Sequence, residues 1–297
     1  MIDVQRLRTL REVARHGSFN RAAAALLLTP SAVSQQIAAL ERSLGTPVVH
    51  RSTRGVTLTD PGRLLVETAE TVDAELNQAR RRIDRLAAGS TGLTVATFAS
   101  GGRRLLPPAL TRFVTEHPGV ELTVLQREPE DSLPLVREGR ADLALAYHFD
   151  GPLPVRAGLE WTPLTADPLS AVLPRGHRLA GRDMLEMAEL FEERWVLGCM
   201  KTQAFLARYA ALAGRELRIA AATTDYFFAQ TLVSAGVGVS LIPSVALDPS
   251  AEELAVVPLA QPCPARWIGV ATPAGHRVRP HARALLAALR ADIRPDR

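Results

Sequence analysis

Leu28-Thr29-Pro30-Ser31-Ala32-Val33-Ser34-Gln35-Gln36-Ile37-Ala38-Ala39-Leu40-Glu41 carries a helix start and a helix with two unlike faces. Thr29 can cap the helix, and Pro30 suits its first position. Leu28 and Val33 stand at the two positions of a hydrophobic staple. Val33, Ile37, Leu40 and Leu44 follow helical spacing and predict one buried stripe, ended by Gly45. The opposite face carries Ser31, Ser34, Gln35, Ala38 and Arg42. These side chains are mostly short and polar. Such a face can approach base edges in the major groove, where Ser and Gln both donate and accept.

The flanking sequence fits that face into a motif. Val4, Leu7, Leu10, Val13 and Ala14 predict a first helix, stopped by Gly17. Ser18 can cap a second helix through Phe19–Leu27. Two short helices and a tight turn before a polar face read as helix-turn-helix. Downstream, Val48-Val49-His50-Arg51 and Val56-Thr57-Leu58-Thr59 flank a polar turn, Ser52-Thr53-Arg54-Gly55. That pattern predicts a hairpin, which here would be a wing. Arg51 and Arg54 are placed to meet phosphates or the minor groove, contacts that hold without reading sequence.

Charge distribution agrees. The chain has 297 residues, with 35 Lys+Arg against 31 Asp+Glu, a formal charge of +4. Residues 1–62 hold eight Arg against Asp3, Glu12, Glu41 and Asp60, so the whole excess lies there. A short basic module on a neutral body is a footprint for a polyanion. At 47% hydrophobic and 22% charged the chain is not a disordered one. No apolar run approaches the ~20 residues of a membrane helix. The first residues hold no apolar signal core, so a cytoplasmic protein without membrane attachment is expected. Two cysteines, Cys199 and Cys263, cannot build a disulfide framework.

The residues from Leu28 to Glu41 closely resemble the LysR-type transcriptional regulator family. So do Leu44-Gly45-Thr46-Pro47-Val48 and the run from Arg51 to Thr57-Leu58-Thr59-Asp60-Pro61-Gly62. The match departs at Val49 and His50, where the family commonly has Phe and an acidic or polar residue. That departure touches packing under the wing. The resemblance implies a regulator that binds double-stranded operator DNA through Thr29, Ser31, Ser34, Gln35, Arg42, Arg51 and Arg54. Ser31, Ser34 and Gln35 would address bases; Arg42, Arg51 and Arg54 would address phosphates.

After Asp60-Pro61, the residues Leu65, Ala69, Val72, Leu76, Ala79, Ile83 and Leu86 are spaced as an a/d heptad seam. Charged faces surround it, with Arg80-Arg81-Arg82 near the end. Ala88-Gly89-Ser90-Thr91-Gly92 breaks the pattern. A seam this narrow predicts pairing with a second copy, and the resemblance implies the same: a homodimer through the linker helix, and a homotetramer beyond it. RNA polymerase is a further partner of such regulators. The resulting division is 1–59 for the winged helix-turn-helix domain, 60–89 for the linker, and 90–297 for an effector-binding domain.

Residues 91–297 alternate strand and helix patterns, which predicts an α/β domain. Expected strands are Leu93–Thr97, Val120–Gln126, Asp142–Ala146, Ser170–Leu173, Trp195–Leu197, Leu217–Ala221, Val237–Ile242 and Trp267–Ala271. Expected helices are Gly102–His117, Leu133–Glu138, Asp183–Leu190, Thr202–Ala213, Asp225–Ala235 and Pro280–Arg290. Ala171 to Ala180 and Leu232 to Pro243 resemble further family motifs. The resemblance implies a periplasmic-binding-protein-like domain of two α/β lobes with a small-molecule cleft. Lobe one would be about 91–164 plus 266–297, and lobe two about 165–265. The crossovers would fall near Pro163–Asp167 and Pro262–Arg266.

Ligands of open α/β sheets sit at the carboxyl ends of strands. This rule selects Ser100 and Gly101 after the first strand, whose backbone N–H groups could receive a carboxylate. It selects Thr202 and Gln203 after the Trp195 strand, and Tyr147, His148 and Phe149 on the rim. Tyr226 and Phe228 are further lining candidates. No G-x-S-x-G, P-loop, G-x-G-x-x-G or H-E-x-x-H motif occurs, and the seven His show no metal-ligand spacing. An enzyme, a metal site and an organic cofactor are therefore not expected. A secreted solute-binding protein would lack the basic head, and a nucleoid protein would need a basic body. Peroxide-sensing relatives use a cysteine pair in the second lobe, and Cys199 has no near partner in sequence. The reading that stands beside an effector-modulated regulator is a constitutive one, whose C-terminal domain is ligand-independent or redox-responsive.

Overall fold

The computed structural model describes residues 3–52, 55–88, 91–149, 151, 158–260, 264–274 and 278–293. Arg54, Gly89, Ser90 and Cys263 lie outside the described residues, as does the side chain of Leu86. Helices α1 (Val4–His16), α2 (Phe19–Leu26) and α3 (Pro30–Leu44) open the chain. Their ends follow local chemistry. Asp3, Ser18 and Thr29 each accept a backbone N–H at a helix start, while Gly17 and Gly45 close α1 and α3. The inner faces meet in one core: Leu7, Leu10, Val13, Ala22, Val33, Ile37 and Leu40 are buried together, with Leu28 packed against them.

Strands β1 (Val49–Ser52) and β2 (Gly55–Leu58) form the antiparallel wing. It is tied back to the helices. Glu41 accepts the Val48 N–H at 3.0 Å, and the Thr59 hydroxyl donates to the Pro47 carbonyl at 2.8 Å. Val48 and Val49 are buried under the wing, and His50 is exposed. Val49, one of the two departures from the resemblance, is thus part of the head's core.

Helix α4 (Asp60–Ala88) runs 29 residues. Its seam divides. Leu65 and Ala69 are buried against the chain's own head, so this part of the stripe is not offered to a second copy. The head is only three short helices, and α4 closes its core against α1. Asp73 fixes that packing by accepting from Arg8 Nε at 2.6 Å and from Arg11. Further along, Leu76 is 47% exposed and Ile83 63%. Asn77 donates to the Glu138 carbonyl at 2.7 Å and Glu70 meets Arg137 at 3.5 Å, which joins α4 to the first lobe.

Lobe one is built on β3 (Thr91–Thr97), β4 (Val120–Gln126) and β5 (Leu143–His148), with β4 and β5 parallel to β3 on either side. Helices α5 (Ala99–Arg104), α6 (Leu106–Glu116), α7 (Pro129–Arg137) and α10 (Pro280–Asp292) cover it. Where one helix over Gly102–His117 was expected, two occur. Pro107 and Pro108 lack N–H groups, so the chain restarts a helix there. Helix α7 starts four residues earlier than its apolar pattern suggests, because Pro129 supplies its first position.

Two long strands join the lobes. Strand β6 (Leu159–Pro174) pairs with β11 (Ala265–Pro273) through lobe one, up to Pro168. It then continues into lobe two, where Leu169–Val172 pair with β9 (Ser240–Pro243) and Ala171–Pro174 with β10 (Leu254–Val257). The lobes thus change hands at Pro168 and Leu169, a few residues past the expected 164/165 boundary. The expected Ser170–Leu173 strand is only the last part of β6. Strands β7 (Arg194–Leu197) and β8 (Arg218–Ala222) are parallel, flanked by α8 (Met200–Leu212) and α9 (Tyr226–Ser234). Residues Asp183–Leu190 form no helix beyond a 3-10 turn at Met187–Leu190, because Leu185 is drawn into a bridge with Leu259.

At the head, Gly62 sits so close to the Val48 carbonyl that a Cβ would come within 2.0 Å of its oxygen. Gly62→Ala is expected to destabilise the head by ~1–3 kcal/mol. Urea unfolding followed by amide exchange in α1–α4 would check this; unchanged protection there would contradict it.

Candidate functional site

The polar face of α3 reaches solvent as its pattern requires. Ser31, Gln35 and Arg42 are exposed and Ser34 is half-buried, while the stripe of Val33, Ile37 and Leu40 is sealed. Thr29 does two things: its hydroxyl caps Ala32 N–H at 3.2 Å and lies 3.0 Å from the Ser31 hydroxyl. Arg51 on the wing donates to Ser34 at 3.3 Å and stacks over Phe19, 4.6 Å from its centroid. This cation–π contact and hydrogen bond hold wing and helix as one surface. Gln36, beside Gln35 in sequence, turns inward to accept from Thr9.

The second site lies between the lobes. Arg266 on β11 and Asp167 on β6 face each other at the crossover, each 1% exposed. Arg266 donates through Nε at 2.9 Å and Nη2 at 2.6 Å to Asp167 Oδ2, and through Nη2 to Ser100 Oγ at 3.1 Å. The second Asp167 oxygen accepts the Val245 N–H at 2.9 Å. Burial opposes the guanidinium charge, but Asp167 with Tyr226 and Tyr147 outweighs it, and the Arg266 pKa is raised.

Tyr147 donates to Glu128 at 2.8 Å, and its oxygen is 3.7 Å from Cys199 Sγ. Thr202 and Tyr226 hydroxyls are 3.1 Å apart. Burial, then Cys199, pushes both phenols well above their ordinary pKa. Both therefore remain protonated at neutral pH and act as hydrogen-bond donors. A cavity of about 10 Å³ remains among Ser100, Glu128, Tyr147, Cys199, Tyr226 and Arg266, room for roughly one water. The cleft is shut. Contacts bridging it include Lys201 to Glu130 at 2.7 Å and Arg103 over Phe227 at 3.9 Å. Arg104 also donates to the Leu247 carbonyl at 3.1 Å.

The structure brings Ser100 and Tyr147 together around Arg266, and Thr202 joins through Tyr226. It moves others away. Strand β5 was expected to end at Ala146 but continues to His148, so alternate residues take opposite faces. Tyr147 turns under the cleft, edge-on to Phe98 at 4.9 Å, whereas His148 goes to the other face against Trp161. His148 borders a neighbouring groove with Lys201 and Glu130. Gln203 follows Thr202 on α8 and points about 100° away around the helix, outside the cavity lining. Gly101 is buried, and a Cβ there would come within 2.6 Å of the Phe98 ring. Phe228 is exposed on the far side of α9. Arg266, Asp167 and Glu128 escaped the sequence reading. The available signal was a charged residue inside the apolar strand Arg266-Trp267-Ile268-Gly269-Val270. Among the described residues no group of three or more His, Cys, Asp or Glu could hold a metal ion.

Comparison with known proteins places these two sites in one family. The "LysR substrate binding domain" matches residues 88–294, and the "bacterial regulatory helix-turn-helix protein, lysR family" matches residues 4–63. A "probable hydrogen peroxide-inducible genes activator" of Mycobacterium avium is 33% identical over 279 residues, spanning 89% of this chain and 86% of the relative. The "probable HTH-type transcriptional regulator LrrA" of Synechococcus elongatus is 29% identical over 292 residues, 97% of each chain. In fold, the chain is similar to HinK of Pseudomonas aeruginosa, a LysR family regulator, with a TM-score of 0.60 at 21% identity, covering 99% of both chains. It is also similar to full-length CbnR complexed with its target DNA, with a TM-score of 0.55 at 22% identity, covering 99% of this chain and 100% of that one. The chain belongs to the LysR-type transcriptional regulator family: an N-terminal helix-turn-helix DNA-binding domain joined to an α/β effector domain. The matching families are regulatory, not enzymatic. Among the described residues, no single helix is long and apolar enough to cross a membrane.

Asp167→Ala would leave the Arg266 charge buried and unpaired. It is expected to cost ~3–5 kcal/mol, whereas Asp167→Asn combined with Arg266→Met should cost far less. Denaturant titration of the full chain measures both; equal losses would contradict the pairing account.

Proposed function

We propose that this regulator grips operator DNA with the surface that Arg51 unites. Ser31, Ser34 and Gln35 read base edges, while Thr29, Arg42, Arg51 and Arg54 hold phosphates. The observation that carries this is the exposed polar face of α3 locked to the wing by Arg51, on a module holding all of the chain's excess positive charge. A small molecule enters the interlobe cleft and contacts Ser100, Tyr147 and Thr202, whereas His148 and Gln203 stand outside its lining. Its entry parts the lobes and so repositions the heads, which requires different affinity for the two states.

The exposed Leu76, Ala79 and Ile83 on the second half of α4 support pairing with a second copy, and so a homodimer with two recognition helices on two half-sites. A homotetramer would extend this arrangement. The protein works in the cytoplasm, with RNA polymerase as a further partner and no resident cofactor.

A second reading is favoured by Cys199, which lines the cleft beside the Tyr147 hydroxyl. In that reading the domain responds to oxidants, which the names of the mycobacterial relatives, probable hydrogen peroxide-inducible genes activators, support. Operator binding that changes with peroxide and loses the response in Cys199→Ser would establish it.

Gel shift against the DNA upstream of the gene tests the main reading. Arg51→Ala is expected to weaken binding on all sequences and to reduce the slope of log affinity against log salt by about one. Gln35→Ala should relax preference at one base pair with a smaller salt effect. Specific binding that is indifferent to both would refute the assigned surface. Leu76→Glu with Ile83→Glu should yield monomers in sedimentation, with the melting of the head preserved.

A further inference from the structure

Lobe two carries a larger hollow outside the interlobe cleft, between α9 and the chain that joins β9 to β10. It holds about 680 Å³, within the roughly 300–1,000 Å³ that small-molecule sites occupy. Ser100, Tyr147 and Thr202 take no part in its lining, and Phe227 is the residue it shares with the cleft cavity. We propose that this hollow is a second ligand site, which takes an organic cation: an ammonium or guanidinium group on an apolar body.

Its walls combine aromatic and acidic groups. Phe228, beside Phe227 on α9, is 54% exposed into it. Asp248, Glu252 and Glu253 face the two rings, against Arg103 as the basic residue of the described lining. Arg175 bonds the Glu252 carbonyl at 2.7 Å and leaves its carboxylate alone, while Glu253 accepts from the Ser234 hydroxyl. Among the described residues, neither glutamate forms an ion pair. The chain itself shows what these walls receive. Arg103 reaches over from lobe one and stacks its guanidinium on Phe227, 3.9 Å from the centroid. Its neighbour Arg104 comes within 3.8 Å of Asp248. An aromatic face attracts a cation, and flanking carboxylates add to the attraction. An anion would meet three negative charges here, and a neutral molecule would gain nothing from them. A free cation would lie on Phe228 between the glutamates and contest the Phe227 face with Arg103. Because Arg103 belongs to lobe one, its displacement removes a contact between the lobes. The hollow thus has its own route to lobe movement, separate from occupancy of the cleft.

The test uses the full chain, with 2-phenylethylammonium chloride and benzamidinium chloride as probes. The neutral 2-phenylethanol and the anion phenylacetate are the controls. Calorimetry gives affinities for wild type, Phe228→Ala, the double variant Glu252→Gln with Glu253→Gln, and Arg103→Ala. All four altered side chains are exposed, so unliganded melting is expected to stay close to wild type. The expected result is that a cation binds while the alcohol and the carboxylate do not. Phe228→Ala and the double glutamine variant should each weaken it about threefold or more. Arg103→Ala, which removes the resident competitor, should strengthen it by a similar factor. A purely structural role for Arg103 would not produce that gain. The alcohol binding as well as the ammonium would overturn the proposal, as would undiminished binding in Phe228→Ala or in the double variant. Failure of both cations to bind wild type and Arg103→Ala would also overturn it. None of these outcomes bears on the cleft, whose lining the variants leave untouched.

Discussion

Two strands, β6 and β11, carry the whole covalent traffic between the lobes, and one buried ion pair sits where they cross. Asp167 and Arg266 are paired in register and shut off from water. A buried pair of this kind adds little net stability but penalises every arrangement that separates it. The crossover is thereby held to one geometry. Around it the cleft is built from residues of both lobes: Ser100, Glu128 and Tyr147 from the first, Cys199 and Tyr226 from the second. At the periphery the bridging Lys201–Glu130 contact is partly exposed. The Lys201–Glu130 pair is of the solvent-screened kind worth ~0–1 kcal/mol. In the proposed mechanism, a fixed hinge with weak outer clasps would let a small ligand shift the lobes with the free energy of a few contacts.

The head obeys the same economy of parts. Three short helices cannot bury enough apolar surface alone, so α4 donates Leu65 and Ala69 to their core, and Asp73 anchors it through Arg8 and Arg11. The same helix then meets lobe one through Glu70 and Asn77. A displacement of lobe one therefore has a direct mechanical route to α1 and to the recognition face on α3. Coupling between effector and DNA needs two sites and contacts that differ between two states, and α4 touches both the head and lobe one.

Much of this was legible in the chain. Caps, staple, stripe and wing turn in residues 1–62 are local signals, and each helix start in the head, with the ends of α1 and α3, follows from a residue beside it; α2 instead closes on Leu27 in the left-handed region, which no local signal announces. Strand and helix alternation in the body was equally visible. What sequence patterns missed depends on distant partners. The heptad seam reads as a single stripe, yet its first part is taken by α1 because the head lacks a fourth wall. Tyr147 and His148 look alike as rim residues, and only the extra length of β5 sends them to opposite faces. Arg266 and Asp167 are 99 residues apart, so neither advertises the other. The short β10 has too few residues to show a period.

The central claim is that the state of the cleft governs the grip on DNA. A charge reversal across the cleft tests it without knowledge of the ligand: Lys201→Glu sets two carboxylates against each other where Glu130 now finds an ammonium. Operator affinity and nuclease footprint are compared for wild type, Lys201→Glu, and the swapped pair Glu130→Lys with Lys201→Glu. The account predicts that the single reversal changes affinity by about threefold or more, alters the footprint, and that the swap restores both. Identical affinity and footprint in all three proteins would contradict it.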